Sequence, residues 1–129
     1  MGIRIVRLGS ARAADEGLRI GTVRRPPRGL RKDEYATKNI YDVWFPNLSP
    51  SDALLKEFFP IDDDQKQWRA FRRRFLAEMK KPEAARDLDV LAALSHQTDF
   101  SVGCYCENEA LCHRSLLREL LQARGALVL

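Results

Sequence analysis

Short apolar stretches alternate with helical patterns along this chain, which is the order of elements expected for an α/β fold. Two of these stretches, residues 3–8 and 100–105, are rich in apolar side chains and predict buried strands. The predicted strands are 3–8, 18–23, 100–105 and 126–129, and residues 41–45 are predicted to form a short extended or buried segment that Pro46 ends. The small residues of segment 9–17 follow no period and predict a loop.

Helical periodicity and capping residues predict four helices, the first two over residues 51–59 and 64–81. Ser51 is a suitable N-cap for the first helix, and the acidic residues 62–64 favour the positive end of the second. Pro82 suits the first turn of the third helix, and Gly125 is a natural stop for the fourth. The predicted core faces comprise Trp68, Phe71, Phe75 and Met79; Ala85, Leu88, Leu91, Ala92 and Ser95; and Leu116, Leu117, Leu120 and Leu121. We therefore predict a small single α/β domain over residues 1–129, with a short, mostly parallel sheet flanked by helices.

The composition excludes several classes of protein. The chain has 129 residues, 45% hydrophobic and 31% charged, and its longest apolar run, 90–94, is far below the roughly 20 residues of a membrane-spanning helix. Residues 1–6 match neither a cleavable signal peptide nor a myristoylation motif. Three cysteines within nine residues make a disulfide framework a poor explanation. We expect a cytoplasmic protein without membrane contact.

The charge is distributed in blocks. Residues 1–32 carry nine basic and two acidic side chains, residues 33–64 two basic and eight acidic, and residues 65–81 seven basic and one acidic. The two basic blocks, around Arg24, Arg25 and Arg28 and around Arg72, Arg73 and Arg74, could meet and bind nucleic acid. The simpler interpretation is that these side chains are solvated.

The segment from residue 102 to residue 114 is chemically the richest part of the sequence. It joins a predicted strand to a predicted helix and places three thiols, one histidine and one arginine near the carboxyl end of the strand. This is where open α/β sheets usually bind ligands.

Several chemistries suit this segment. Cys104, Cys106, Cys112 and His113 are ligand types for zinc, but neighbouring residues on a helix diverge by about 100°, which disfavours Cys112 and His113 as joint ligands. A thiol at a helix start beside His113 and Arg114 has a stabilised thiolate, which makes Cys112 a candidate nucleophile and His113 a candidate acid or base. The cysteines could also simply pack as small apolar side chains.

We favour anion binding. Free N–H groups at the helix start, with Arg114 and Arg28, suit a phosphate group. The stiff Pro27 and the permissive Gly29 flank Arg28, so we expect its side chain to be partly buried and to point towards residues 112–114. The predicted ligand-binding residues are Arg28, Gly29, Arg114, Cys106 and Glu107. The predicted partner is a phosphate-bearing small molecule or nucleotide, with no cofactor and no metal.

The run of residues 104–117, Cys-Tyr-Cys-Glu-Asn-Glu-Ala-Leu-Cys-His-Arg-Ser-Leu-Leu, resembles the signature of the YeaO-like family called domain of unknown function 488. Residues 27–30, Pro-Arg-Gly-Leu, are similar to that family's Pro-Arg-Gly loop, whereas residues 23–26 depart from its usual Asp-Arg-Leu-Trp lead-in. The middle section of the chain also follows the family in order: Trp44, Leu48, Ser49, Pro50, Ser51, Leu55, Phe58 and the helix from Trp68 to Phe75. The resemblance implies a small α/β domain in which the two motifs approach each other, and it implies no established reaction.

Overall fold

In a computed structural model, which describes residues 1–61, 64–106 and 108–129, four strands form one parallel sheet. The strands are β1 (Gly2–Arg7), β2 (Leu18–Gly21), β3 (Val43–Trp44) and β4 (Asp99–Cys104). Their order across the sheet is β1, β4, β2, β3, and every neighbouring pair is parallel. The predicted α/β class with a parallel sheet is confirmed. Because the strands are parallel, the carboxyl ends of β1, β4 and β2 lie at one edge of the sheet.

The helices are α1 (Asp52–Phe58), α2 (Gln65–Glu78), α3 (Pro82–Leu94) and α4 (His113–Ala123). Ser51 caps α1 by accepting a hydrogen bond from the Leu54 N–H, as predicted. Asp64 caps α2, while the acidic residues 62 and 63 lie outside the described residues. The helix α2 ends three residues earlier than expected, because the chain turns before Pro82 opens α3. Within the described residues, no helix is long and apolar enough to cross a membrane.

Three predicted extended segments are shorter in the structure, and the first of them is β2, which has four residues rather than six. β3 has two residues rather than five, since Pro46 follows it and opens a single helical turn. The last predicted strand forms only an isolated bridge between Val128 and Ile3. There the Ile3 N–H donates to the carbonyl of Leu127, and the Leu129 N–H donates back to the carbonyl of Ile3, each at 2.8 Å.

The core divides into two clusters. The larger one joins the inner faces of the helices to the sheet, with Phe71, Phe75 and Met79 buried as predicted and Trp68 half-buried. The smaller one lies at the carboxyl edge of the sheet and consists of Leu8, Val23, Tyr41, Cys104 and Cys112. Two of the three cysteines therefore belong to an apolar cluster beside the edge where a ligand site is expected.

A buried ion pair fixes the loop between β1 and β2. The Arg19 side chain, fully shielded from solvent, donates through Nε to Glu16 at 2.7 Å, and Ser101 of β4 donates to the same carboxylate at 2.6 Å. Burial opposes ionisation of Glu16, but hydrogen bonds from Arg19, Ser101 and the Ala13 N–H outweigh it and lower its pKa to about 2. The carboxylate is thus a structural anchor between the loop and the sheet.

Candidate functional site

The three thiols converge because the chain leaves β4 and returns to the same point. Cys104 ends β4, a short helical turn at Glu109–Leu111 reverses the chain, and Cys112 immediately precedes α4. The Sγ atoms of Cys104 and Cys112 lie 2.8 Å apart, and the three Sγ atoms all lie within 4.8 Å of one another. We call Cys104, Cys106 and Cys112 the thiol cluster.

The cluster stabilises one negative charge. Hydrogen bonds from Cys104 and Cys106, with a further contribution from Arg114, lower the pKa of Cys112 despite its burial. The hydrogen bonds that Cys104 donates to Cys106 and Cys112 raise its own pKa. The hydrogen bond from Cys104 works to lower the pKa of Cys106, but Cys112 and burial together outweigh it and raise that pKa. Cys112 has no exposed surface, whereas Cys106 is half-buried. Cys106 is therefore the thiol that a solute can reach.

His113, the first residue of α4, is buried beside the cluster with a defined tautomer. Its Nε2 lies 2.7 Å from the carbonyl oxygen of Thr22, which only accepts hydrogen bonds, so Nε2 carries the proton. Its Nδ1 is left as an acceptor 3.6 Å from the Sγ of Cys112. Burial lowers the pKa of His113 to about 4, so the ring is neutral near pH 7.

Arg114 is buried behind the cluster, with 4% of its surface exposed. Its Nη2 donates to the carbonyl of Cys106 at 2.5 Å, and its Nε has no hydrogen-bond partner among the described residues. Burial works against its charge, but the neighbouring thiols raise its pKa. Arg114 thus supplies a buried positive charge to the thiols.

The Pro-Arg-Gly loop follows β2, and three of its arginines, Arg24, Arg25 and Arg28, have different environments. The Arg24 guanidinium donates to the carbonyls of Pro50 and Ser49, while Arg25 donates to the Asp52 carboxylate at 3.1 Å. Arg28 is exposed and has no hydrogen bond or ion pair within the described part of the chain. The expectation that Arg28 is partly buried is wrong, because burial of a guanidinium without a partner is costly.

A pocket of about 420 Å³ lies between this loop and the thiol cluster. Its lining residues are Val23, Arg24, Arg25, Pro26, Pro27, Arg28, Ser49, Pro50, Leu55, Phe59, Cys104, Tyr105, Cys106 and His113. Three arginines line it, and none of its described lining residues is acidic. We call it the arginine pocket.

The arginine pocket joins only some of the predicted site residues. Arg28 shares it with Cys106 and His113, as expected from the two motifs, but the lining does not include Cys112 or Arg114. The structure therefore does not bring Arg28 and Arg114 together as a clamp, since Arg114 is turned towards the thiols. Gly29 adopts φ of +78° at the end of the loop and is not part of the lining either. Glu107 lies outside the described residues.

The apolar wall of the arginine pocket was missed from the sequence. Leu55 of α1 and Phe59, just beyond that helix, face the pocket although the pattern assigns them only to a helix. Phe59 adds a ring contact to Phe71 of the core, with centroids 4.9 Å apart. The sequence did contain one signal for this wall: residues 58 and 59 are adjacent aromatic residues, which departs from the spacing of a single helix face.

A second pocket, of about 500 Å³, adjoins the first, and Pro26 lines both. Its walls include Tyr35, Tyr41 and Trp44, and the two tyrosine rings meet edge to face with centroids 5.3 Å apart. The indole N–H of Trp44 donates to the Val23 carbonyl at 2.7 Å, which fixes the ring. We call it the aromatic pocket.

The basic residues proposed as a nucleic-acid surface are mostly paired. Arg72 pairs with Glu119 at 3.1 Å and Arg74 with Glu57 at 2.5 Å. A shallow groove on α2 remains basic and is lined by Arg69, Arg72, Arg73, Leu76, Ala77 and Lys80. This groove and the arginine pocket share no lining residue.

Comparison with known proteins gives one family. The family model described as the active DUF488-N3 subclade matches residues 3–125, which is nearly the whole chain. No curated protein and no solved structure matches the chain. The match covers both the Pro-Arg-Gly loop and the thiol cluster.

Proposed function

The chain belongs to the DUF488 family, as its motifs indicated, and we propose that its arginine pocket binds a phosphate-bearing small molecule. The observation that supports this most is the lining: three arginines of one loop face a pocket in which no described lining residue is acidic. Guanidinium groups bind phosphate oxygens through paired, charge-assisted hydrogen bonds. An anion is therefore the ligand that this lining favours.

The three arginines have different roles in this proposal. Arg24 holds the loop against the carbonyls of Ser49 and Pro50 through its Nε and Nη2, which fixes the position of its guanidinium. Arg25 has an exposed partner, Asp52, which a phosphate can replace at little cost. Arg28 has no partner within the described residues and supplies the first contact. Leu55 and Phe59 offer an apolar wall to the organic part of the ligand.

The aromatic pocket favours a nucleotide among phosphate-bearing molecules. It adjoins the arginine pocket at Pro26, and aromatic rings stack well on nucleobases. Trp44, held by its hydrogen bond to Val23, offers such a ring at the surface. A phosphate beside Arg28 and a base beside Trp44 would fill the two pockets together.

Catalytic roles for Cys112 and His113 remain a prediction. The Nδ1 of His113 lies 3.6 Å from the Sγ of Cys112, but the hydrogen bonds from Cys104 and Cys106 already favour the Cys112 thiolate, so His113 is not needed to remove its proton. A nucleophile must also reach its substrate, and Cys112 has no exposed surface. Binding in the arginine pocket does not depend on these roles.

The test is titration with nucleotides, nucleosides and inorganic phosphate, followed by the fluorescence of the two tryptophans and by calorimetry. We expect nucleotides to bind and nucleosides to bind much more weakly. Arg28→Ala should weaken nucleotide binding about tenfold, the loss of a charge-assisted contact worth about 1.4 kcal/mol. The matched control is Arg31→Ala, because Arg31 is exposed on the same loop, pairs with Asp33 and Glu34, and lies outside the lining.

Two outcomes would overturn the proposal. Equal affinity of the wild type and Arg28→Ala for every phosphate compound tested would remove the arginine pocket as the binding site. Binding of DNA or RNA that falls steeply with salt, and that Arg73→Ala but not Arg28→Ala weakens, would favour the α2 groove and a nucleic-acid-binding module instead.

A further inference from the structure

We propose that the thiol cluster is a binding site for a borderline or soft divalent metal ion, with Zn²⁺ as the expected ion. The inference goes beyond nucleotide binding and does not depend on it, since the ligand atoms are the sulfurs of Cys104, Cys106 and Cys112. These atoms already lie within 4.8 Å of one another. Zinc–thiolate bonds of about 2.3 Å place two tetrahedral ligands about 3.8 Å apart, so small side-chain rotations suffice to enclose an ion.

The backbone delivers the three ligands from three different elements. Cys104 comes from the end of β4, Cys106 from the following loop and Cys112 from the residue before α4. Cys104 and Cys112 are held by the smaller core cluster, so two ligands are fixed before an ion arrives. Cys106 is half-buried and faces the arginine pocket, which provides a route of entry.

The charge of the surroundings suits a thiolate-bound divalent ion. Arg114 is nine-tenths buried, and its Nε points into the protein without a partner among the described residues. A buried unpaired N–H is costly and calls for an acceptor. The net charge is zero when three thiolates and one divalent ion are added to the Arg114 guanidinium. On binding, each S–H proton leaves for solvent as its sulfur becomes a ligand, and no electron is transferred.

The sequence disfavoured Cys112 and His113 as ligands of one ion because neighbouring side chains on a helix diverge. The structure removes this objection. Cys112 is not yet helical, with φ of −131° and ψ of 149°, so the divergence of successive helical side chains does not apply to this pair. The Nδ1 of His113 is unprotonated and lies 3.6 Å from the Sγ of Cys112, but it is outside the group of three sulfurs that lie within 4.8 Å of one another, so it would have to move towards Cys104 and Cys106 to become a fourth ligand. Histidine ligands commonly donate their other N–H to a backbone carbonyl, as His113 does to Thr22.

Metal binding also accounts for the position of Cys112 better than nucleophilic chemistry does. A nucleophile needs access to its substrate, while a structural ligand needs only its neighbours. Cys112 has neighbours within reach and no exposed surface.

The experiment uses the full chain purified under reducing conditions without a polyhistidine tag. Elemental analysis should find close to one equivalent of zinc. After removal of the metal with a chelator, titration with Co²⁺ should produce a thiolate-to-cobalt charge-transfer band that saturates at one equivalent. Competition with a chromophoric chelator then gives the affinity for Zn²⁺.

Variants separate a ligand role from a structural one. Cys106→Ser should raise the Kd for Zn²⁺ about 100-fold and reduce the cobalt band by about a third, and the half-buried position should leave the fold intact by circular dichroism. His113→Ala should blue-shift or weaken the cobalt spectrum, and the matched control His96→Ala should leave it unchanged, since His96 is exposed and bonded to Gly125.

The proposal fails if reduced, folded wild-type protein takes up less than a tenth of an equivalent of zinc and gives no cobalt band. It also fails if Cys106→Ser binds Zn²⁺ and Co²⁺ with wild-type affinity and spectrum. Binding of Cu⁺ with no binding of Zn²⁺ or Co²⁺ would overturn the assignment of a divalent ion.

Discussion

The Nε2 of His113 donates a hydrogen bond to the carbonyl oxygen of Thr22 at 2.7 Å, and this bond ties the start of α4 to the end of β2. The same ring meets Phe75 of α2 at an angle of 61°, with centroids 5.6 Å apart. One side chain therefore connects the sheet edge, the thiol cluster and the main core. We therefore expect the removal of this side chain to affect the sheet edge, the thiol cluster and the main core.

His113→Ala should lower the free energy of unfolding by about 2 to 3 kcal/mol, because it removes a buried hydrogen bond and leaves a cavity beside Phe75. Urea denaturation of the metal-free protein at pH 7 measures this difference. His96→Ala is the control and should cost no more than about 0.5 kcal/mol, since His96 is exposed. Equal stability of the two variants would contradict the structural role of His113.

Acid stability should depend on Glu16. Its folded pKa of about 2 lies below the ordinary value of 4.5, so its contribution is complete above pH 4.5 and is lost as the pH falls from 4.5 towards 2. Glu16→Gln should therefore destabilise the protein at pH 7 by about 3 kcal/mol, because the buried charge of Arg19 loses its ion-pair partner. It should also make the free energy of unfolding depend less on pH between 4.5 and 2. Denaturation at a series of pH values tests both effects. Asp15→Asn, at an exposed neighbouring carboxylate paired with Arg4, should leave the profile nearly unchanged.

Gly103 should tolerate no side chain. A Cβ there would lie 2.6 Å from the Val6 carbonyl oxygen and 2.9 Å from its Cγ2, because β4 passes closely beside β1. Gly103→Ala should cost about 3 kcal/mol in thermal or urea unfolding. Gly125→Ala provides the comparison, since φ there is +79° but no atom lies within 4 Å, and we expect only about 1 kcal/mol of backbone strain. A smaller loss at Gly103 than at Gly125 would argue against the close strand packing.

The thiols should differ in reactivity in the order of their exposure. In reduced, metal-free protein, Cys106 should be alkylated first, whereas Cys104 and Cys112 should react only with transient opening, because 2% or less of their surface is exposed. Mass spectrometry of peptides after brief labelling gives the order. Fast labelling of Cys112 in the folded protein would show that its thiolate is accessible and would support the nucleophile hypothesis. Bound zinc should slow the alkylation of Cys106 most, because Cys104 and Cys112 are already shielded in the metal-free protein.

The sequence was sufficient to predict the helices and their buried faces, because capping and periodicity are local signals. Ser51 caps α1 and Phe71 and Phe75 face the core as periodicity and capping predict. The sheet order was not accessible, since the placement of β4 between β1 and β2 depends on packing between residues far apart in the chain. Only two residues of the extended segment 41–45 pair in the sheet, as β3, and Tyr41 of that segment lines the aromatic pocket.

The candidate site was predicted in its parts but not in its geometry. The two motifs do meet at one pocket, where Arg28 and His113 are both lining residues. The sequence could not show that Arg114 turns inward to the Cys106 carbonyl, because its direction follows from the path of the chain between β4 and α4. Nor could it show that Cys112 is extended rather than helical, or that its Sγ lies 3.6 Å from the Nδ1 of His113.

The bridge between Val128 and Ile3 has a consequence for association between chains. An edge strand with free N–H and carbonyl groups is a template for pairing with another molecule. The N–H of Ile3 is bonded to Leu127 and its carbonyl to Leu129, so the outer side of β1 is covered at this point. The opposite edge, β3, is only two residues long and gives little length for pairing. Loss of residues 127–129 would uncover β1 and favour aggregation through its edge, although no residue of either pocket would be touched.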